Sequence, residues 1–285
     1  MALSKASADS ASRSAGIKIN LLAMEGIRSL NKFFLYSSIT VLLAIILDLI
    51  IVGILFTVSS ALSNLLMASS MSIALAGLGV LLLVMMISMF VFAVYAMLSL
   101  TFGIRDVRRS SMPSAPAYAS ISKWLKYLVI ITAVIGVIYV IVALGNIPIL
   151  ESTSFSGTGA VSVSAFSGVM ALFAIIFMIL EFLFVWKLRE MYRLLGRDMS
   201  QNGLNTSSTL LIIGIVVAFA GGIMSLFAST SLLSSLNASG VLTSGGGSGI
   251  LINIAAYVIY IVSAILILIA QWTGYKATGS ALRTA

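Results

Sequence analysis

Two carboxylates stand where this chain carries almost no other charge, and they are its first candidates for chemistry. Asp48 sits at the centre of the apolar run Phe34–Ser60, and Glu181 lies five residues before Trp186 in a later one. An Asp at mid-membrane costs roughly 2.5–3.5 kcal/mol when charged, so an acid there is a functional-site hypothesis by default. Ionised, it needs water, a cation or a basic partner, and no Lys or Arg lies within any of the apolar runs. Ser37, Ala44 and Ser59 fall on the side of Asp48 at helical spacing. Such a narrow, small and polar seam fits a neighbouring helix or a wet cavity rather than lipid. The expectation is a neutral Asp48 hydrogen-bonded across a helix interface, with a proton- or cation-coupled site as the alternative. Helical rise sets Asp48 about 18 Å past Tyr36 and Glu181 about 7.5 Å short of Trp186. Glu181 is therefore expected to reach the headgroups. The two acids, about 10 Å apart in depth, are not expected to share a proton.

What the chain lacks excludes more. It has no histidine, so a histidine-dependent triad, a Ser–His intramembrane protease and a His-bound metal have no base or ligand here. It has no cysteine, so there is no disulfide framework, thiolate metal site or cysteine nucleophile. A paired-aspartate intramembrane protease needs a second membrane Asp, and there is one. No phosphate-binding loop of the form G-x-x-x-x-G-K-[ST] occurs, and Gly245–Gly249 lacks the strand and helix that would make it a phosphate cradle. Enzymatic activity, a metal and a cofactor are accordingly not expected.

The elements that must position the two acids are membrane helices. The 285 residues are 60% hydrophobic and 8% charged, against about 25% charged in ordinary soluble domains. Six runs are each long enough to span: roughly 35–58, 73–101, 127–147, 166–186, 209–229 and 250–272. The expected fold is an all-α, six-helix membrane bundle arranged as three hairpins. A cytoplasmic tail and interfacial amphipathic helix would occupy 1–33, the membrane domain 34–272 and a second cytoplasmic tail 273–285. Residues 1–15 read as a disordered tail, and Ile17–Phe34, which mixes apolar residues with Lys18, Glu25, Arg28 and Lys32, as the interfacial helix. In the fifth run Gly214, Ala218 and Gly222 recur every four residues, a stripe that lets helix backbones approach closely and is expected to act within the chain.

Charge gives the orientation. All 16 lysines and arginines fall in four segments: the N-terminus, Arg105–Lys126, Lys187–Arg197 and the C-terminal tail. The alternating segments 61–72, 148–165 and 230–249 have none and are rich in Ser, Gly and Thr. With six spans, basic residues sorting inward put both termini in the cytoplasm. Asn237–Ala238–Ser239 would then be a glycosylation acceptor on the outer side. The net charge of +8 is explained by anionic headgroups at the inner surface, and no nucleic acid is expected.

The motif Glu25–Gly26–Ile27–Arg28–Ser29–Leu30 before the first span, the Ile/Val-rich helices and the Ser/Thr/Gly-rich outer loops resemble a class of six-pass membrane proteins of archaea. The resemblance implies an archaeal source and brings no activity, cofactor or catalytic residue with it. The residues themselves leave two functional expectations. The first is a structural or accessory membrane protein, a subunit of a larger assembly or a homo-oligomer. The second is a small proton- or cation-coupled transporter or channel using Asp48. The prolines, Pro113, Pro116 and Pro148, all lie outside the expected spans, which disfavours the broken helices common in transporters.

Overall fold

The computed structural model describes residues 2–61, 68–110, 112–153, 159–234 and 246–284. Side chains are described over 21–54, 81–110, 112–142, 171–227 and 251–283, apart from 83 and 140. Much of the segments expected on the outer side, including Asn237 and most of Ser152–Gly159, lies outside the described residues. The described chain is all-helical: α1 (Ala2–Ala61), α2 (Ala68–Arg109), α3 (Ala115–Thr153), α4 (Gly159–Asp198), α5 (Asn202–Ser234) and α6 (Gly246–Thr284). Each contains a stretch long and apolar enough to cross a membrane: Leu21–Ile54, Val84–Arg109, Ala115–Tyr139, Ala171–Asp198, Asn202–Phe227 and Leu251–Arg283. The protein is a multi-pass helical membrane protein.

Two local features differ from the sequence expectation. The segment read as a disordered tail continues α1 back to Ala2. It is rich in alanine, the strongest helix former, and has no proline. The segment read as an interfacial helix does not form a separate element. It runs straight into the first span, and Ile27, Leu30, Phe33 and Phe34 are buried against the rest of the bundle. Gly26 of the motif makes this possible. A Cβ there would stand 2.8 Å from Val107 Cγ2, and one on Gly103 would stand 2.7 Å from Leu30 Cγ. Two glycines thus let α1 and α2 cross at backbone contact.

The helices pack in chain order as a closed ring, each against the next, with α6 returning to α1. The α5–α6, α1–α2 and α1–α6 seams are extensive and the α2–α3 seam is the slightest. The core lies towards the end that carries the basic residues. Leu30, Phe34, Ile104, Val107, Tyr118 and Tyr192 are almost wholly enclosed there, whereas Met86, Phe90 and Ile141 point outward. In water such outward apolar side chains would be a liability; facing lipid they are what a spanning helix requires.

Short polar ties hold the basic end together. At the α2–α3 turn, Ser114 Oγ donates to Asp198 Oδ1 at 2.7 Å and Tyr118 Oη to Asp198 Oδ2 at 3.3 Å, joining α3 to the end of α4. Thr278 of α6 donates to Asn31 of α1 at 2.8 Å. The α4–α5 connection is tight: Gln201 N–H bonds Gly196 C=O at 2.8 Å and Ser200 N–H bonds Arg197 C=O at 3.2 Å, around a left-handed Ser200 at φ 52. These are the two bonds of a Schellman stop, and they turn the chain in a few residues.

Candidate functional site

Asp48 lies on α1, half-buried, and makes no hydrogen bond among the described residues. Two tyrosines of α6 stand near it. Tyr257 and Tyr260, one helical turn apart with ring centroids 6.2 Å from each other, are both within electrostatic range of the Asp48 carboxyl. Tyr260 is also within range of Glu181 on α4. Its hydroxyl lies 3.1 Å from where a Cβ on Gly222 would stand, beside Met178. Gly222 therefore leaves the room that Tyr260 and Met178 occupy between α4, α5 and α6.

Three helices thus contribute ionisable groups around Tyr260: Asp48 from α1, Tyr257 beside it on α6, and, nearer the membrane boundary, Glu181 from α4. Tyr260 precedes Trp272 by about 18 Å of helical rise, the same depth that Asp48 has beyond Tyr36. Sequence reasoning missed the two tyrosines. The signal was their depth, since tyrosines of the aromatic belt sit at the membrane boundary, not three to four turns inside it. Such groups can hold or pass a proton through carboxyl and phenol oxygens. Among the described residues no group of acids is clustered tightly enough to bind a metal ion.

Glu181 also faces a lateral crevice of about 480 Å³ between α2, α3 and α4, lined by Met97, Thr132, Ala133, Phe177 and Phe184. The crevice opens where the ring is loosest, at the α2–α3 seam. The carboxyl is the one ionisable group of this largely apolar lining.

The other residues singled out from sequence do not converge on this set. Ser37 is half-buried and about 16 Å from Asp48 by helical rise, so it belongs to a different level of the bundle. The Ser59 side chain is outside the described residues. Beside Ser37, it is Ser38 that is buried, and its hydroxyl donates to Phe34 C=O at 2.8 Å within the helix.

Gly214 and Ala218 of α5 lie against neighbouring side chains. A Cβ on Gly214 would lie 2.7 Å from Ile267 Cγ1 of α6, and Ala218 packs against the core. Serines seal the same seam. Ser263 Oγ of α6 donates to Gly214 C=O at 2.7 Å, and Ser207 Oγ of α5 donates to Ala270 C=O. Small residues and side-chain-to-backbone bonds of this type are the usual adhesive between membrane helices, where burial from water offers little.

The chain matches no protein-family model, no curated protein and no solved structure.

Proposed function

We propose that the protein is a structural or accessory subunit of a membrane assembly, seated in the cell membrane with both termini in the cytoplasm. The observation that carries the reading is the use made of polar atoms inside the spans. Ser207, Ser263, Tyr192 and Gln271 all spend their hydrogen bonds on neighbouring helices of the same bundle. That is the pattern of a static scaffold, and every described span is an unbroken helix. The orientation rests on basic residues gathering at the end of the ring that holds the core, with cations sorted to the cytoplasmic side. Its partners in this reading are other membrane proteins, together with anionic headgroups at the inner surface. Recovery of a stoichiometric partner from the native membrane tests it.

A second reading has a specific observation in its favour. Asp48 is not tied into the packing as a structural Asp would be, and Tyr260 lies within range of both membrane acids. A proton- or cation-coupled site would be built from this set. Purified protein in liposomes under a pH gradient separates the two. No flux above protein-free liposomes is expected of a scaffold; flux lost in Asp48→Asn would establish the transporter instead.

A further inference from the structure

Beyond Trp186, α4 carries Arg189, Arg193 and Arg197 at successive four-residue steps, hence on one face. All three line a groove of about 670 Å³ at the α4–α5 junction, whose opposite wall is the first two turns of α5 with Asn202, Asn205 and Thr209. A smaller hollow of about 280 Å³ shares the same three arginines and is completed by Trp186, Glu190 and Leu194.

None of the three arginines is in an ion pair among the described residues, where the ion pairs are Arg105–Asp106 and Lys187–Glu190. The two nearby acids are engaged elsewhere: Glu190, which borders the smaller hollow, accepts from Lys187 at 2.8 Å, and Asp198 accepts from Ser114 and Tyr118. Arg189 is held in place by stacking, its Cζ 5.1 Å from the centroid of the Trp186 ring. Its Nε is buried with no hydrogen-bond partner. A buried guanidinium nitrogen left unpaired is costly, and guanidinium groups present a planar fork suited to phosphate oxygens.

The level of the groove favours a lipid over a soluble anion. Cation–aromatic pairs recur at the basic ends of the helices: Lys187 over Trp124 at 6.0 Å, Lys276 over Trp272 at 5.8 Å and Arg105 over Phe102 at 5.1 Å. Tryptophans with adjacent cations mark the boundary where headgroups lie. Beside its charged residues the smaller hollow presents the Trp186 ring and Leu194, apolar surface against which the glycerol end of such a molecule can lie.

We infer that the Arg189–Arg193–Arg197 groove binds the phosphate group of an anionic phospholipid, fixing the α4–α5 corner to the headgroup layer. The test uses the full-length protein in nanodiscs of phosphatidylcholine with and without phosphatidylglycerol, followed by gentle delipidation and native mass spectrometry. One phosphatidylglycerol retained per chain is expected. Arg193→Gln and Arg197→Gln should each reduce retention about tenfold, the equivalent of one charge-assisted hydrogen bond. Arg193→Lys, which keeps the charge and loses the fork, should bind at an intermediate level. The exposed pair Arg108→Gln and Arg109→Gln should bind like wild type. Melting temperatures matched to wild type show that the variants are folded. Inorganic phosphate titrated into lipid-free micelles is the second arm. Binding there without preference for phosphatidylglycerol assigns the groove to a soluble anion and overturns the lipid. No retention by the wild type, or equal retention by folded variants, overturns the site.

Discussion

The Tyr192 hydroxyl donates to Gln271 Oε1 at 2.8 Å, joining α4 to α6 with both residues buried. The Phe34 ring of α1 lies against Tyr192 at 4.9 Å between centroids, so three helices meet at this one hydrogen bond. Tyr192→Phe removes the donor and leaves the buried Gln271 carbonyl oxygen unpaired. A loss of about 1 kcal/mol is expected by reversible unfolding in mixed micelles. Adding Gln271→Leu should restore part of it, because an apolar pair leaves nothing unsatisfied. A double variant weaker than Tyr192→Phe alone would show that the glutamine has another role.

Gly274 faces the same ring. A methyl group at this position would overlap the Phe34 side chain. Gly274→Ala should therefore destabilise the bundle by about 1–3 kcal/mol through overpacking. Phe34→Leu placed in the Gly274→Ala background should recover stability, although by itself it opens a cavity and costs stability. Independent, additive losses would disprove the contact.

Much of this was legible in the residues. Six apolar runs became six spanning helices, and the i, i+4 stripe of Gly214, Ala218 and Gly222 in the fifth lies in contact with neighbouring helices. Periodicity and length carry that information because a bilayer leaves few other ways to satisfy a backbone. The candidate site was half legible. Asp48 and Glu181 were visible as charges in apolar surroundings, but the linear sequence assigns each a depth and no azimuth. Their common neighbour Tyr260 depends on α6 closing the ring against α1, and no local pattern encodes that closure. The burial of Ile27–Phe34 was hidden for a related reason. A helix with one apolar face reads alike whether the face meets lipid or another helix, and the Gly26–Gly103 crossing decides it.

Asp48→Asn keeps the size of the side chain and removes its capacity for charge. In a scaffold with no ion or proton to hold, stability should change by less than about 1 kcal/mol, and assembly with partners should persist. Thermal unfolding of purified protein and co-purification yield are the readouts. A large stabilisation would indicate that Asp48 is kept at a cost to the fold, which is the mark of a functional acid.

The absence of cysteine makes the orientation directly testable, since any introduced thiol is the sole one. Ser152→Cys is expected to react with a membrane-impermeant maleimide in intact cells. Arg109→Cys and Lys276→Cys are expected to react only after the membrane is opened. The reverse pattern would place the basic ends outside.

The most direct test of the subunit reading is native mass spectrometry of the protein released gently from its own membrane. A stoichiometric complex with a second membrane protein is the expected result, and it should persist in Asp48→Asn. A lone chain or a homo-oligomer, with liposome flux that Asp48→Asn abolishes, would contradict it and make the Asp48–Tyr260–Glu181 set the working centre of a transporter.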